Sequence, residues 1–286
     1  MRGLIVTADD FGLATEVNRA VAMAHEYGVL TAASLMVSAP AADEAVAMAR
    51  AAPTLRVGLH LVLVEGRPTL PPSRIPALVG ADGLFREDML GAAISIFLRR
   101  GARRQLAAEI AAQFEAFRAT GLSLDHLTVH KHFHLHPTIA GLALRIGRDF
   151  GLRAVRLPVE PRATIAEAEP GRSIGGEWAT QPWARLARRR FRAAGMLAPD
   201  QVFGLRWSGA MTPARLAGLA ARLPPGLSEI YLHPATDARF EGAAPGYRYA
   251  EELAALVDPA VARAMERAGL RRGGFCDFLP EGRWDA

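Results

Sequence analysis

Short apolar runs alternate with longer segments of helical period along almost the whole chain. Eight runs read as strands, at residues 3–8, 31–37, 57–64, 125–130, 154–157, 202–207, 229–233 and 273–278. The segments between them repeat apolar residues every three to four positions. They predict helices at 16–27, 41–51, 102–120, 138–150, 182–194, 213–222 and 250–268. The run 57–64 is apolar on both faces except for His60, as in a strand covered by helices on either side. Regular strand–helix alternation predicts parallel βαβ units and an α/β fold. Eight units predict a single-domain (β/α) barrel, TIM-barrel-like and incomplete or distorted. An open doubly wound sheet is the alternative, but its nucleotide fingerprint is missing: the first strand leads into Asp9-Asp10-Phe11-Gly12 rather than G-x-G-x-x-G.

Two segments break the rhythm. Residues 65–98 begin rich in Pro and Gly and end apolar, and residues 160–181 read as loop. In a barrel both belong over the C-terminal mouth, where substrate-covering insertions sit. No repeat, low-complexity tract or linker divides the sequence, so one domain over residues 1–286 is expected.

Composition narrows the classes. Of 286 residues 50% are apolar and 22% charged, which supplies a large core and excludes disorder as the main state. A single cysteine, Cys276, excludes a disulfide framework and a thiolate-rich zinc site. No apolar run approaches the ~18 residues of a membrane span. The first is too short for a secretory leader, so a cytoplasmic address is expected. The net charge of +5 is almost all arginine, Lys131 being the only lysine. These arginines are spread through helical segments and aromatics are 7%, so no nucleic-acid partner is expected. Two stretches, 92–104 and 183–192, set apolar residues beside arginine clusters. They raise a peripheral contact with the inner-membrane surface, or simply amphipathic helices packed on strands.

The candidate chemistry lies where polar residues end apolar strands, because a barrel's reactive groups sit there. Asp9-Asp10 closes the first strand, and His60 lies in the third. His130 ends the fourth, Arg156 the fifth and His233-Pro234 the seventh. Of the paired aspartates, one can ligate a cation while the other stays free as a base, or one can cap the next helix. Taken alone, His60 is either a ligand or a core histidine with both ring nitrogens satisfied. Histidines alternate at 130, 132, 134 and 136. An extended chain would turn all four to one side, whereas a turning chain would bring only the first one or two to the site. Carboxylates and two imidazoles on separate strand ends make a mixed N/O site for a divalent cation. Three protein ligands would leave positions open, as catalytic sites do.

Thr7-Ala8-Asp9-Asp10-Phe11-Gly12 with Asn18, then Gly58-Leu59-His60, the 130–137 stretch, Arg156-Leu157-Pro158 and Leu232-His233-Pro234, resemble in order the motifs of the YdjC-like carbohydrate deacetylases. The resemblance covers nearly the whole chain. Segments 30–37 and 62–68 are similar to the family's hopanoid biosynthesis-associated branch. The resemblance implies a barrel-like fold of polysaccharide-deacetylase type and metal-dependent removal of acetyl from an N-acetylated sugar. For this branch the sugar would be N-acetylglucosamine on a bacteriohopanetetrol lipid. It also implies that Asp10, His60 and His130 ligate the metal, that Asp9 is the general base and His233 the general acid, and that Arg156 pairs with the base. Zn²⁺ is the expected ion, with Mg²⁺ or another divalent cation as alternatives. One departure is Thr128, where many relatives carry an acidic residue or asparagine, which leaves the support of His130 open. Alternative readings are a deacetylase of soluble chito-oligosaccharides, or an isomerase or phosphoesterase on the same barrel.

Overall fold

Strand β1 (Arg2–Phe11) is central in a seven-stranded, all-parallel, curled sheet. The others are β2 (Ala32–Leu35), β3 (Arg56–Leu61), β4 (Leu127–Val129), β5 (Gln201–Phe203), β6 (Gly226–Leu232) and β7 (Arg271–Arg272). Their order is β4-β3-β2-β1-β6-β5, with β7 also paired to β1. The computed structural model describes residues 2–169 and 179–280. Around the sheet run α1 (Thr15–Tyr27), α2 (Ala42–Ala51), α3 (Met89–Leu98), α4 (Arg100–Ala119), α5 (Pro137–Asp149), α6 (Arg162–Ala168), α7 (Gln181–Ala193), α8 (Pro213–Arg222), α9 (Tyr249–Val257) and α10 (Pro259–Arg267). The expected barrel-like α/β architecture is therefore present, in distorted form.

Four expectations need correction. Residues 154–157 form no strand. Instead Leu127 N–H donates to Ala154 O, and Val155 N–H to Leu197 O, so single bridges tie this segment to β4 on one side and to the chain before β5 on the other. The last expected strand, 273–278, is two residues earlier and ends in a 3₁₀ turn (Cys276–Phe278). The expected helix 250–268 is two, because Pro259 lacks the N–H that would continue α9; Asp258 caps the new helix by accepting from Ala260 N–H at 2.7 Å. Within 160–181, α6 packs against α8 and lines no part of the mouth; residues 170–178 lie outside the described residues.

Strand alternation divides the side chains into two sets. Leu4, Val6 and Ala8 of β1, like Val57 and Leu59 of β3, join the large core beneath the helices. The opposite set faces inward. Its floor is Ile5, Ala32, Ala154 and Phe275. Above that floor Ser34 Oγ, His126 and Asp125 line up at 3.0 and 2.8 Å in the manner of a hydrolytic triad. All three are buried, and Phe275 stacks on the imidazole at 4.2 Å. Asp125 also accepts the N–H groups of Phe275 and Cys276, so this array fastens the C-terminal segment and no substrate reaches it.

The insertion after β3 is held by one face of α4. Gln113 clamps Val62 through its N–H and C=O, Glu109 accepts from Thr69 and Leu70 N–H, and Gln105 accepts from Ala77 N–H. These three side chains recur every four residues, one per helical turn.

Candidate active site

Neighbouring residues on a strand face opposite ways, so Asp9 and Asp10 can share the mouth only if β1 is interrupted. It is. Ala8 pairs with Ala33 and Phe11 with Leu35, so β1 carries one residue more than β2, a β-bulge. Asp10 sits there at φ 62°, in the left-handed region that Asp tolerates better than most residues. Asn18 of α1 fixes the turn by accepting from Gly12 N–H at 2.8 Å and donating to Ala41 O and Glu44. Neither aspartate caps α1, whose N-cap is Ala14.

Asp10 Oδ1, His60 Nε2 and His130 Nδ1 form a nearly equilateral triangle. Its sides are 3.3 Å (His60–Asp10), 3.4 Å (His130–Asp10) and 3.3 Å (His60–His130). Asp10 Oδ1 is buried without a hydrogen-bond donor. His60 Nδ1 meets Thr128 Oγ1 at 2.7 Å. With the ring proton on that nitrogen, Nε2 turns its lone pair to the triangle. Thr128 thus supports His60, across from it on β4, rather than His130. Three acceptor-bearing groups converging on one point around an orphaned carboxylate oxygen fit a divalent cation, and these residues could hold one.

Beside the triangle lies a buried ion network. Arg156 donates Nη1 to Asp9 Oδ2 and Nε to Glu229 Oε1 at 2.8 Å, while Thr7 donates to the same Glu229 oxygen. The guanidinium lies over the Tyr231 ring, 4.4 Å from its centroid. Burial alone would push the Asp9 carboxyl up. The Arg156 cation, helped by His60 and His233, more than offsets this and holds it at about 2. Arg156→Met should cost about 3–5 kcal/mol, because it strands two buried carboxylates without their cation. Urea titration reads the loss directly, as a lower midpoint at unchanged slope.

The histidine run turns rather than extends. Lys131 and His132 both adopt φ 52° and kink the 3₁₀ segment His130–Leu135 from within, so the four rings part company. His132 meets the Tyr231 hydroxyl at 3.0 Å in the cavity wall, and burial keeps it neutral. His134 meets Arg156 O at 2.9 Å, its pKa lowered by burial to about 4. His136 caps α5 by accepting from Thr138 N–H.

His233 stands across the mouth with Nε2 4.0 Å from Asp9 Oδ2 and Nδ1 4.0 Å from Glu252 Oε2. Glu252, on α9, accepts the N–H groups of His233 and Met211, and burial raises its pKa. All six expected site residues therefore gather at one end of the sheet. Five of them, with Tyr231 and Tyr247, line a cavity of about 1030 Å³; Arg156 lies beneath it. Its rim is built from the 65–89 insertion and from residues 241–245. An Arg67–Glu241 pair at 3.7 Å and a Lys131–Glu65 pair mark it.

Sequence reading missed Tyr231, Glu229 and Glu252, and it set Thr128 behind His130 rather than His60. Tyr231 and Glu229 carried a signal: they lie two and four residues before His233 on the same strand, hence on the same face. Glu252, on a helix, carried none. Loop 241–245 was missed because nothing in its composition sets it apart.

The sequence matches the family described as YdjC-like protein over residues 3–267. It is 31% identical to a carbohydrate deacetylase of Geobacillus stearothermophilus, over 97% of this chain and 98% of that one. It is 35% identical to a chitooligosaccharide deacetylase of Escherichia fergusonii, over 57% of this chain and 66% of that one. Other such alignments are also partial, spanning 56–58% of the relatives' own length. The fold is similar to a crystal structure from Enterococcus faecalis V583, a protein provisionally assigned to cellobiose-phosphate cleavage. Its TM-score is 0.75 at 26% identity, covering 98% of this chain and 99% of that one.

Proposed function

The chain belongs to the YdjC-like protein family, and on that premise we propose that it is a metal-dependent carbohydrate N-deacetylase, one domain over residues 1–286. The observation that carries the reading is the Asp10–His60–His130 triangle with Asp9 beside it and His233 opposite. Two imidazoles and one carboxylate make a mixed N/O donor set, which supports Zn²⁺ ahead of Mg²⁺.

A bound divalent ion supplies Lewis acidity, polarising an amide carbonyl and making water more acidic. Asp9, kept ionised by Arg156, accepts a proton from the water that attacks the acetyl carbon. His233 delivers a proton to the departing nitrogen as the C–N bond breaks, leaving acetate and the free amino sugar. Each such proton transfer is worth ~10²–10⁴-fold. Glu252, by accepting the His233 backbone N–H, holds the main chain from which that ring projects.

The substrate we assign is N-acetylglucosamine carried by a bacteriohopanetetrol lipid, met in the cytoplasm at the inner-membrane surface. Its support is the resemblance of segments 30–37 and 62–68 to the hopanoid-associated branch, together with the apolar surface that continues the cavity rim past Met89. Soluble chito-oligosaccharides are the second reading, favoured by the Escherichia fergusonii relative. Mass spectrometry decides between them. The purified protein, loaded with Zn²⁺, should strip acetyl from N-acetylglucosaminyl hopanoid and leave diacetylchitobiose largely intact. The reverse pattern overturns the lipid assignment, and acetate from neither overturns the deacetylase.

A further inference from the structure

Helix α3 presents an apolar face that none of the described residues covers. Leu90, Phe97 and Leu98 are 64–72% exposed, and Ile94 lies between them on the same face. Helix α7 does likewise with Trp183 and Leu186, at 56% and 57%, while its Phe191 is buried against the protein and takes no part. The two faces flank one corner. The Phe97 ring lies 6.3 Å from that of His136, and Arg190 donates to Pro137 O.

Charge around this apolar surface is mostly positive, the exceptions being the exposed Glu87 and Asp88 at the N-terminal end of α3. From Met89 to Ala108 there are four arginines and no acid, and α7 holds five arginines and no acid. Arg188 and Arg192 turn inward to Asp200, but Arg99, Arg100, Arg104, Arg185 and Arg189 are exposed. Among the described residues no helix is long and apolar enough to cross a membrane. Large exposed apolar side chains flanked by an excess of cations are what an interfacial helix offers to anionic lipid. Met89 lines the catalytic cavity, so this surface begins at its rim.

We infer that the α3 and α7 faces together form a docking surface for an anionic lipid bilayer, which sets the cavity mouth against the membrane. The inference extends the lipid-linked substrate reading but is tested apart from it.

The test is co-sedimentation of the purified chain with vesicles of phosphatidylglycerol and phosphatidylcholine, and with phosphatidylcholine alone. The wild-type chain should bind the anionic vesicles at least about tenfold better, and high salt should release it. Arg99→Gln with Arg100→Gln and Arg104→Gln should lower binding on the order of a hundredfold, each cation contributing roughly fivefold. Phe97→Ser with Leu98→Ser should also weaken it severalfold. Both variants should turn over N-acetylglucosaminyl hopanoid presented in neutral detergent micelles at the wild-type rate, since none of these residues lines the cavity. Absence of binding to anionic vesicles overturns the inference, as does binding indifferent to both variants. A dimer of the wild-type chain in light scattering that Phe97→Ser dissociates also overturns it, because a second copy then covers the face. Vesicle binding by a chain that deacetylates nothing would leave the surface standing and remove only the proposed activity.

Discussion

His60→Ala and His130→Ala proteins, purified separately, should emerge nearly free of metal and without measurable deacetylation. Each keeps only two of the three corners of the triangle formed by Asp10 Oδ1 and the two imidazole nitrogens. Treating the wild-type protein with a chelator should abolish activity, and added Zn²⁺ should restore it; neither variant should recover. A graded comparison sharpens the point. Thr128→Val removes only the hydroxyl at 2.7 Å from His60 Nδ1, so it should weaken metal affinity by ~10–100-fold while leaving a loadable site. Metal analysis that found His60→Ala fully occupied and fully active would exclude His60 from the site.

The two aspartates should fail in different ways. Asp9→Asn should retain metal yet turn over ~10²–10⁴-fold more slowly, since an amide cannot take the proton that the carboxylate accepts. Asn is nearly isosteric, so Arg156 keeps a hydrogen-bonding oxygen and Glu229 keeps its cation. Asp10→Asn should lose metal first and activity as a result, because its Oδ1 is the corner shared by both histidines. Saturating Zn²⁺ should therefore rescue part of the Asp10→Asn activity and none of the Asp9→Asn activity. Equal metal loss in the two proteins would mean that their roles have been divided wrongly.

Much of this site was legible because strand geometry is strict. A histidine in the doubly apolar run 57–64, and polar residues at successive strand ends, have nowhere to project except the mouth of a parallel barrel. The bulge at Asp9-Asp10 was not legible. An extra residue in one strand shows only when its partner's register is known, and β2 pairs from the other side of a helix. The fate of the histidine run was equally hidden, since the left-handed turn at Lys131 and His132 has no glycine or asparagine to announce it. The missing fifth strand reflects Pro158 and the crowding around Arg156, whose guanidinium is spent on side chains within the barrel. The last strand was misplaced for a different reason. Gly273-Gly274-Phe275 reads as an apolar run, but Phe275 is apolar in order to fill the barrel floor.

The placing of β1 also sets a timetable for biosynthesis. It leaves the ribosome before every strand it pairs with, and Arg2 waits for Gly226 and Gly3 for Arg271 before the sheet is complete. At ~5–20 residues per second the wait is on the order of ten seconds or more. Throughout it the central strand has β2 on one side and neither β6 nor β7 on the other, and the floor lacks Phe275. The nascent chain, rather than the finished enzyme, is thus the form most exposed to aggregation. Ribosome-stalled chains ending before β6 should be strong chaperone clients, and chains extended past Phe275 should not.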